Sequence, residues 1–245
     1  QKRGFLMKPT VVCFLGKEYN DVVISVDKVE PNESNQCIEI KKRKGGIFNI
    51  LEANLPNLTT QFLTNGSKEA YIVNERSNSS RTSYVMTRKD SILTEDQCTM
   101  INNQCDWLHL SYLDDFENYK NLNTINKPIS VDFCTNNNRE QYLKILKKCH
   151  IIFESRERKD LYSNMCISTP IIFHDEQGIE VVKNNKTVHK DTMVPIDNVD
   201  VNGAGDIYAA IFIDNYQNKG ISKSASHAMR KTTEILQKRK QNEEI

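Results

Sequence analysis

The chain has 245 residues, with 33 basic and 32 acidic side chains and a formal net charge of +1. That length buries a full core in one domain, and the near-zero balance offers no net field for nucleic acid or an anionic membrane. Cysteines at 13, 37, 98, 105, 134, 149 and 166 are odd in number and lack CxxC spacing, which argues against a disulfide framework or a zinc site and fits reduced thiols in a cytoplasmic protein.

In chain order, Val11–Leu15 (VVCFL) is a short apolar run ending at Gly16, the pattern of a buried parallel strand. Asp21–Asp27 and Gln36–Lys41 alternate in polarity around the turn residues Pro31–Ser34 and read as half-exposed antiparallel strands. The basic run Lys41–Lys44 reads as a solvated strand edge unless a phosphate lies nearby. Ile47–Leu55 reads as a helix behind a glycine pair, and Ala70–Val73 with Thr82–Val85 as a second hairpin joined by Asn74–Arg81. From residue 90 the pattern changes. The runs Trp107–Leu110, Ile129–Phe133, His150–Phe153 and Pro170–Phe173 are short and apolar, with polar, helix-compatible stretches such as Arg139–Lys148 between several of them. That repetition predicts a parallel sheet covered by helices on both faces. Gly178–Val182 and Lys186–His189 read as a hairpin, and Ile207–Ile213 and Ser222–Leu236 as the last helices. Lys238, Arg239 and Lys240 then suit a helix C-terminus. The histidines at 109, 150, 174, 189 and 227 have no metal-ligand spacing and read as structural. The expected architecture is an α/β core with four antiparallel strands of the N-terminal third set aside as a flap, about 17–43 and 68–88.

The stretch Val199–Ile213 (VDVNGAGDIYAAIFI) concentrates two costs at one helix mouth. Glycines there lose backbone entropy, and a buried acid at Asp206 needs a partner. Gly203, Ala204 and Gly205 can present bare backbone N–H groups to an anion at a helix N-terminus. Asp206 can accept a proton from a hydroxyl attacking phosphorus, and phosphoryl transfer asks for little beyond positioning, charge stabilisation and a base. On the tetrapeptide alone, tight packing with Asp206 as a helix cap is the rival reading.

The stretch DVNGAGD at 200–206, followed by a small apolar helix, resembles the C-terminal signature D-T-x-G-A-G-D of the PfkB/ribokinase family of sugar and nucleoside kinases. GKEYNDVVISVDKVE at 16–30 is similar to the family's first strand and the start of its lid, with Asp21 at the position that binds sugar hydroxyls. KGGIFNILEANL at 44–55 resembles the N-terminal signature, with Gly45 and Asn49 at the substrate-binding positions and Lys44 where the first glycine of the pair would stand. HIIFESRE at 150–157 is similar to the strand carrying N-x-x-E and puts Glu157 at the glutamate that organises magnesium. The resemblance implies a ribokinase-like three-layer αβα core with a small antiparallel β-sheet lid. It also implies ATP as donor, magnesium, a sugar or sugar-like acceptor, and an open question of a monovalent cation. Asp206 is then the base, Gly203–Gly205 the anion hole, and Asp21, Gly45 and Asn49 the acceptor grip. Read without the family, Asp21 is a strand-end charge, Asn49 a helix cap and Glu157 part of a solvated face.

The sequence also departs from the pattern. Val201 replaces the signature threonine, Glu154 stands for the N-x-x-E asparagine, and Phe173 and Asp175 replace the threonine and glycine of the nucleotide-side turn. Glu154 and Asp175 therefore occupy nucleotide-binding positions with acids that would repel polyphosphate unless compensated. The segment between Leu55 and Ala70 is short, and little chain follows the last helix. These departures keep a non-catalytic sugar sensor and a nucleoside kinase open beside the sugar kinase. Exposed lid edges suggest a homodimer through paired lids.

Overall fold

A computed structural model describes residues 10–77, 81–85, 91–196 and 199–243. Residues 1–6, part of the Asn74–Arg81 connection and the end of the 68–88 lid segment lie outside them. The described strands form one mixed sheet: β1 (Thr10–Val26), β2 (Cys37–Gly46), β3 (Leu58–Glu75), β4 (Arg81–Val85), β5 (Trp107–Leu110), β6 (Ile129–Val131), β7 (Ile151–Ser155), β8 (Ile171–Asp175), β9 (Gly178–Lys183) and β10 (Lys186–Thr192). The order is β10-β9-β8-β7-β6-β5-β1-β3-β4, with β2 also on β1. Helices α1 (Glu95–Gln104), α2 (Leu143–Leu146) and α3 (Ala204–Glu243) and several 3-10 turns cover it.

The N-terminal strands correct the expected flap. Val11–Leu15 and Asp21–Asp27 are not separate strands but the inner and outer parts of β1, which pairs parallel with β3 from Thr10↔Leu58 to Val26↔Glu75. On its other edge, β1 gives Val12–Leu15 to β5 and Glu18–Val26 to the antiparallel β2. The lid is thus a mixed sheet continuous with the core rather than a set of antiparallel strands apart from it. The short 55–70 segment is the inner half of β3. Its largely polar start (Thr59, Thr60, Gln61 after Leu58) hid a stretch that, among the described residues, pairs with β1 alone until β4 joins at Ala70.

Alternation along the core strands builds two apolar layers. Cys13, Leu15, Leu108, Leu110 and Ile152 pack toward α1 and the 3-10 turns. Val12, Phe14, Trp107, Ile151, Phe153 and Ile172 pack toward α3. α1 starts at a capping box the apolar pattern did not reveal: Thr94 Oγ1 accepts from the Gln97 amide at 3.2 Å, and Gln97 Oε1 from the Thr94 amide at 2.9 Å. Ile47–Glu52 and Arg139–Tyr142 are 3-10 turns where helices were expected, the second running into α2. The two C-terminal helices abut as α3 with a break at Gly220, φ 70° and ψ 176°. No described helix is long and apolar enough to cross a membrane.

Phe153 lies at the centre of the layer under α3, with its ring 5.7 Å from His109, 6.1 Å from Tyr208 and 5.4 Å from Phe212. Phe153→Ala leaves a cavity that this rigid strand cannot close and costs about 3–5 kcal/mol. Urea denaturation of the two chains measures it.

Candidate active site

Ligand sites in α/β sheets lie beyond the carboxyl ends of parallel strands. Here those ends of β5 to β8 face the lid, and a cavity of about 270 Å³ opens between them, lined by Tyr19, Asp21, Asn49, Arg81, Tyr112 and Gly203 among others. The two-residue period of the lid strands turns Tyr19 and Asp21, Ala70 and Ile72, and Arg81 and Ser83 to this inner face. The same period splits the basic run. Lys44 pairs with Glu18 at the surface, whereas Arg43 turns inward, with Nη1 2.9 Å from Asp200 Oδ2 and Nε 3.8 Å from Asp21 Oδ2. Burial pushes the Asp21 carboxyl up, and Arg43 pulls it back.

Asp206 opens α3 and is 1% exposed. Its Oδ2 accepts from Asn49 Nδ2 and from the Tyr112 hydroxyl, both at 3.0 Å, while Oδ1 has no protein partner among the described residues. Burial raises its pKa to about 6; the Asn49 and Tyr112 hydrogen bonds oppose the rise and Asp21 adds to it. Tyr112 reaches Asp206 from the end of β5 by adopting left-handed backbone, φ 64° and ψ 70°, a conformation that costs a bulky residue free energy and clusters at functional sites. Sequence reasoning missed Tyr112; its only signal was its place just past a buried parallel strand.

Gly203 has φ 74°, and a Cβ there would lie 2.1 Å from Asn49 Cγ. Glycine is what lets the loop press against Asn49. A Cβ on Gly45 would likewise fall 2.0 Å from Asp21 Oδ2. Asp21, Gly45, Asn49, Gly203 and Asp206 therefore meet in one place. The anion-hole expectation needs one correction: the Ala204 amide donates to Val201 O at 3.0 Å. Among the described residues no such acceptor is found for the Gly203, Gly205 and Asp206 amides. Those three are the donors an anion would meet. Arg239, expected only to suit a helix end, instead grips the approach to this loop. Its Nη1 donates to Asp200 O at 2.9 Å and Asn202 O at 2.7 Å, and its other nitrogens hold Glu52.

Glu154, at the end of β7, is enclosed by protein partners. It is fully buried, with Oε2 taking Arg139 Nε at 2.9 Å and the Tyr162 hydroxyl at 2.9 Å, and Oε1 taking Arg158 Nη1 at 3.1 Å. Asp175 pairs with Arg156 Nη1 at 3.1 Å. Each added acid thus meets arginine, which removes the expected repulsion. Glu157 lies in the 3-10 turn that follows β7, its side chain 71% exposed and one oxygen 3.4 Å from Arg158 Nη2. Magnesium keeps several waters and needs only one or two carboxylates besides phosphates, so an exposed acid fits a water-mediated contact. Asp114, Asp115 and Cys134 also cluster closely enough for an ion. Asp114, however, is taken by the Cys134 and Thr135 amides, and Asp115 by the Tyr19 hydroxyl and Lys17. This trio reads as loop anchoring.

Because the native pKa of Asp206 lies above its unfolded value, the native state holds a proton that the unfolded state has lost between about pH 4 and pH 6. Stability from this group falls as pH rises through that window and is level above it. Asp206→Asn is therefore expected to be more stable than the native chain at pH 7 and to lose that slope, as read by urea denaturation across pH. Tyr112→Phe removes a hydrogen bond to the carboxylate and should move the Asp206 ionisation upward, as followed by carbon-13 NMR of labelled aspartate. Gly203→Ala drives a methyl into Asn49 from left-handed backbone and should cost about 1–3 kcal/mol of stability by urea denaturation.

No protein-family model matches the chain, and no curated protein matches it in sequence. Solved structures do match it. An adenosine kinase from Sinorhizobium meliloti superposes with a TM-score of 0.67 at 13% identity, covering 94% of each chain. A nucleoside kinase from Methanocaldococcus jannaschii, described as an archaeal member of the ribokinase family, gives 0.66 at 15% identity over 94% of this chain and 100% of that one. Arabidopsis thaliana ribokinase, complexed with ribose and ATP, gives 0.61 at 10% identity over 94% of this chain and 99% of that one. At such identities the likeness is one of architecture, and it agrees with the sheet and its lid: the chain has the ribokinase-like α/β fold.

Proposed function

We propose that the chain is a divergent PfkB/ribokinase-family kinase that transfers the γ-phosphoryl group of ATP to a hydroxyl of a sugar or sugar-like molecule. The observation that carries this reading is the state of Asp206: a buried carboxylate with a pKa of about 6, one oxygen held by Asn49 and Tyr112 and the other without a partner among the described residues. Above pH 6 it is ionised and more basic than an exposed aspartate, which suits removal of a hydroxyl proton as the oxygen attacks phosphorus. Asp21, Gly45 and Asn49 orient the acceptor. The Gly203, Gly205 and Asp206 amides meet the charge that builds on the moving phosphoryl group. When bound, ATP supplies that group and magnesium offsets its charge, with Glu157 contacting the ion through water.

The polar lining from Asp21, Asn49, Arg81, Ser83 and Asn202 favours a polyol over a nucleobase as the bound moiety. The sensor reading loses much of its motive once Glu154 and Asp175 are paired with arginine. Asp206→Asn should lower turnover at least ~1,000-fold while leaving acceptor and ATP affinity nearly unchanged. A panel of ribose, fructose, aminated sugars and adenosine, read by phosphorylated product and by calorimetry, tests this. Near-normal turnover in the variant on any accepted substrate removes the base assignment, and sugar binding without ATP affinity in magnesium favours the sensor. The outer lid face exposes Ile40 and Tyr84, both at 60%, and a homodimer through paired lids is part of this reading. Light scattering at micromolar concentration should give twice the chain mass, and a strictly monomeric mass counts against it.

A further inference from the structure

Arg239 lies near the end of α3, yet it reaches the loop in front of that helix. The break at Gly220 turns the second part of α3 back along the first. Tyr208 meets Ala225, its hydroxyl donating to Ala225 O at 3.3 Å, and Asn202 meets Arg239, so the two parts run antiparallel. Ala225, Ala228 and Met229 join the apolar layer that holds Ile207–Ile213. The Arg239 side chain is 12% exposed and all three of its nitrogens are engaged. Nη1 takes Asp200 O at 2.9 Å and Asn202 O at 2.7 Å, while Nε and Nη2 take the two Glu52 oxygens at 2.8 and 2.7 Å.

Val201, between the two carbonyls, has no side-chain hydrogen-bonding group, so the loop is fastened from outside. Its own carbonyl is taken by the Ala204 amide at 3.0 Å, and the Asn202 amide is turned onto Asp200 Oδ1 at 3.0 Å. The next N–H is that of Gly203, which lines the acceptor cavity and has no acceptor among the described residues. The Asn202 carbonyl and the Gly203 N–H are opposite ends of one planar peptide and point in opposite directions. A guanidinium that holds the oxygen therefore aims the N–H away from itself. Glycine at φ 74° adds no stiffness of its own, so that direction has to be set by a neighbour.

We propose that Arg239 is a positioning residue of the transfer step, which fixes the Gly203 N–H as an anion donor by holding the other end of its peptide. The assignment rests on the kinase reading, in which this N–H meets the charge on the moving phosphoryl group. A charged donor on the carbonyl also polarises the peptide and strengthens the N–H at its far end. Glu52 serves this arrangement twice. Its two hydrogen bonds fix the plane of the guanidinium and offset its charge, and its 3-10 turn carries Asn49, the partner of Asp206.

Single-turnover transfer rates, acceptor KM and nitrogen-15 amide spectra test the assignment in the native chain, Arg239→Gln, Arg239→Lys, Glu52→Gln and the double variant Arg239→Gln/Glu52→Gln. Arg239→Gln should slow transfer at least ~10-fold with acceptor KM within about twofold of native. Arg239→Lys, which can reach a carbonyl but sets no plane, should fall between the two. Glu52→Gln should lose less, and the double variant no more than Arg239→Gln, because the two side chains act as one unit. The Gly203 amide resonance should move when inorganic phosphate is added to the native chain and stay still in Arg239→Gln. Transfer within about twofold of native in Arg239→Gln, losses that add in the double variant, or a loss confined to acceptor KM overturns the assignment. In a native chain that transfers nothing, a Gly203 response to phosphate that needs Arg239 keeps the assignment and contradicts the kinase. No response in such a chain overturns both. Thermal midpoints separate loss of aim from loss of fold, and Arg239→Lys carries the test if Arg239→Gln does not fold.

Discussion

A carboxylate taken out of water must be paired, hydrogen-bonded or protonated, and Asp206 is only half provided for. Asn49 and Tyr112 satisfy one oxygen, and among the described residues the other has no partner. Much of the surrounding structure serves that arrangement. Tyr112 accepts left-handed backbone to deliver its hydroxyl, Gly203 gives up a side chain so that Asn49 can approach, and Arg239 ties the preceding loop to the segment that carries Asn49 through Glu52. A group kept in this state raises the cost of folding, and chemistry is the usual return on that cost.

Charge is balanced locally around this centre although the chain is nearly neutral overall. Asp21 and Asp200 share Arg43, Asn202 holds Arg81 at the lid rim, Glu154 is caged by Arg139 and Arg158, and Asp175 meets Arg156. The lid is not an added flap in this scheme. Because β1 and β3 run from core to lid, with one register shift between Gly16 and Glu18, Asp21 is placed by the same strand that packs Phe14 under α3.

Much of this was legible in sequence, and the gaps have physical causes. The short apolar runs from Trp107 to Phe173 announced a parallel sheet because strands buried on both faces need continuous apolar stretches. Gly203–Asp206 stood out because glycines and an acid at a helix mouth are each costly. The inner half of β3 was invisible because an edge strand alternates weakly and tolerates Thr, Gln and Asn. The 3-10 turns lack the period that marks an α-helix. The inward turn of Arg43 and the arginine partners of Glu154 were not legible for one reason: sequence supplies the charge of a side chain but not the partner across the fold that decides its role.

The account's central claim is that the bare oxygen of Asp206 receives the acceptor's proton during transfer. The most direct measurement is the single-turnover rate of phosphoryl transfer, by rapid quench with saturating ATP and acceptor, across pH in the native chain and in Asp206→Asn. The account predicts a native rate that climbs through one ionisation near pH 6 and levels off, and a variant rate that is slow and flat across the same range. Matching pH profiles and comparable rates in the two chains would contradict it.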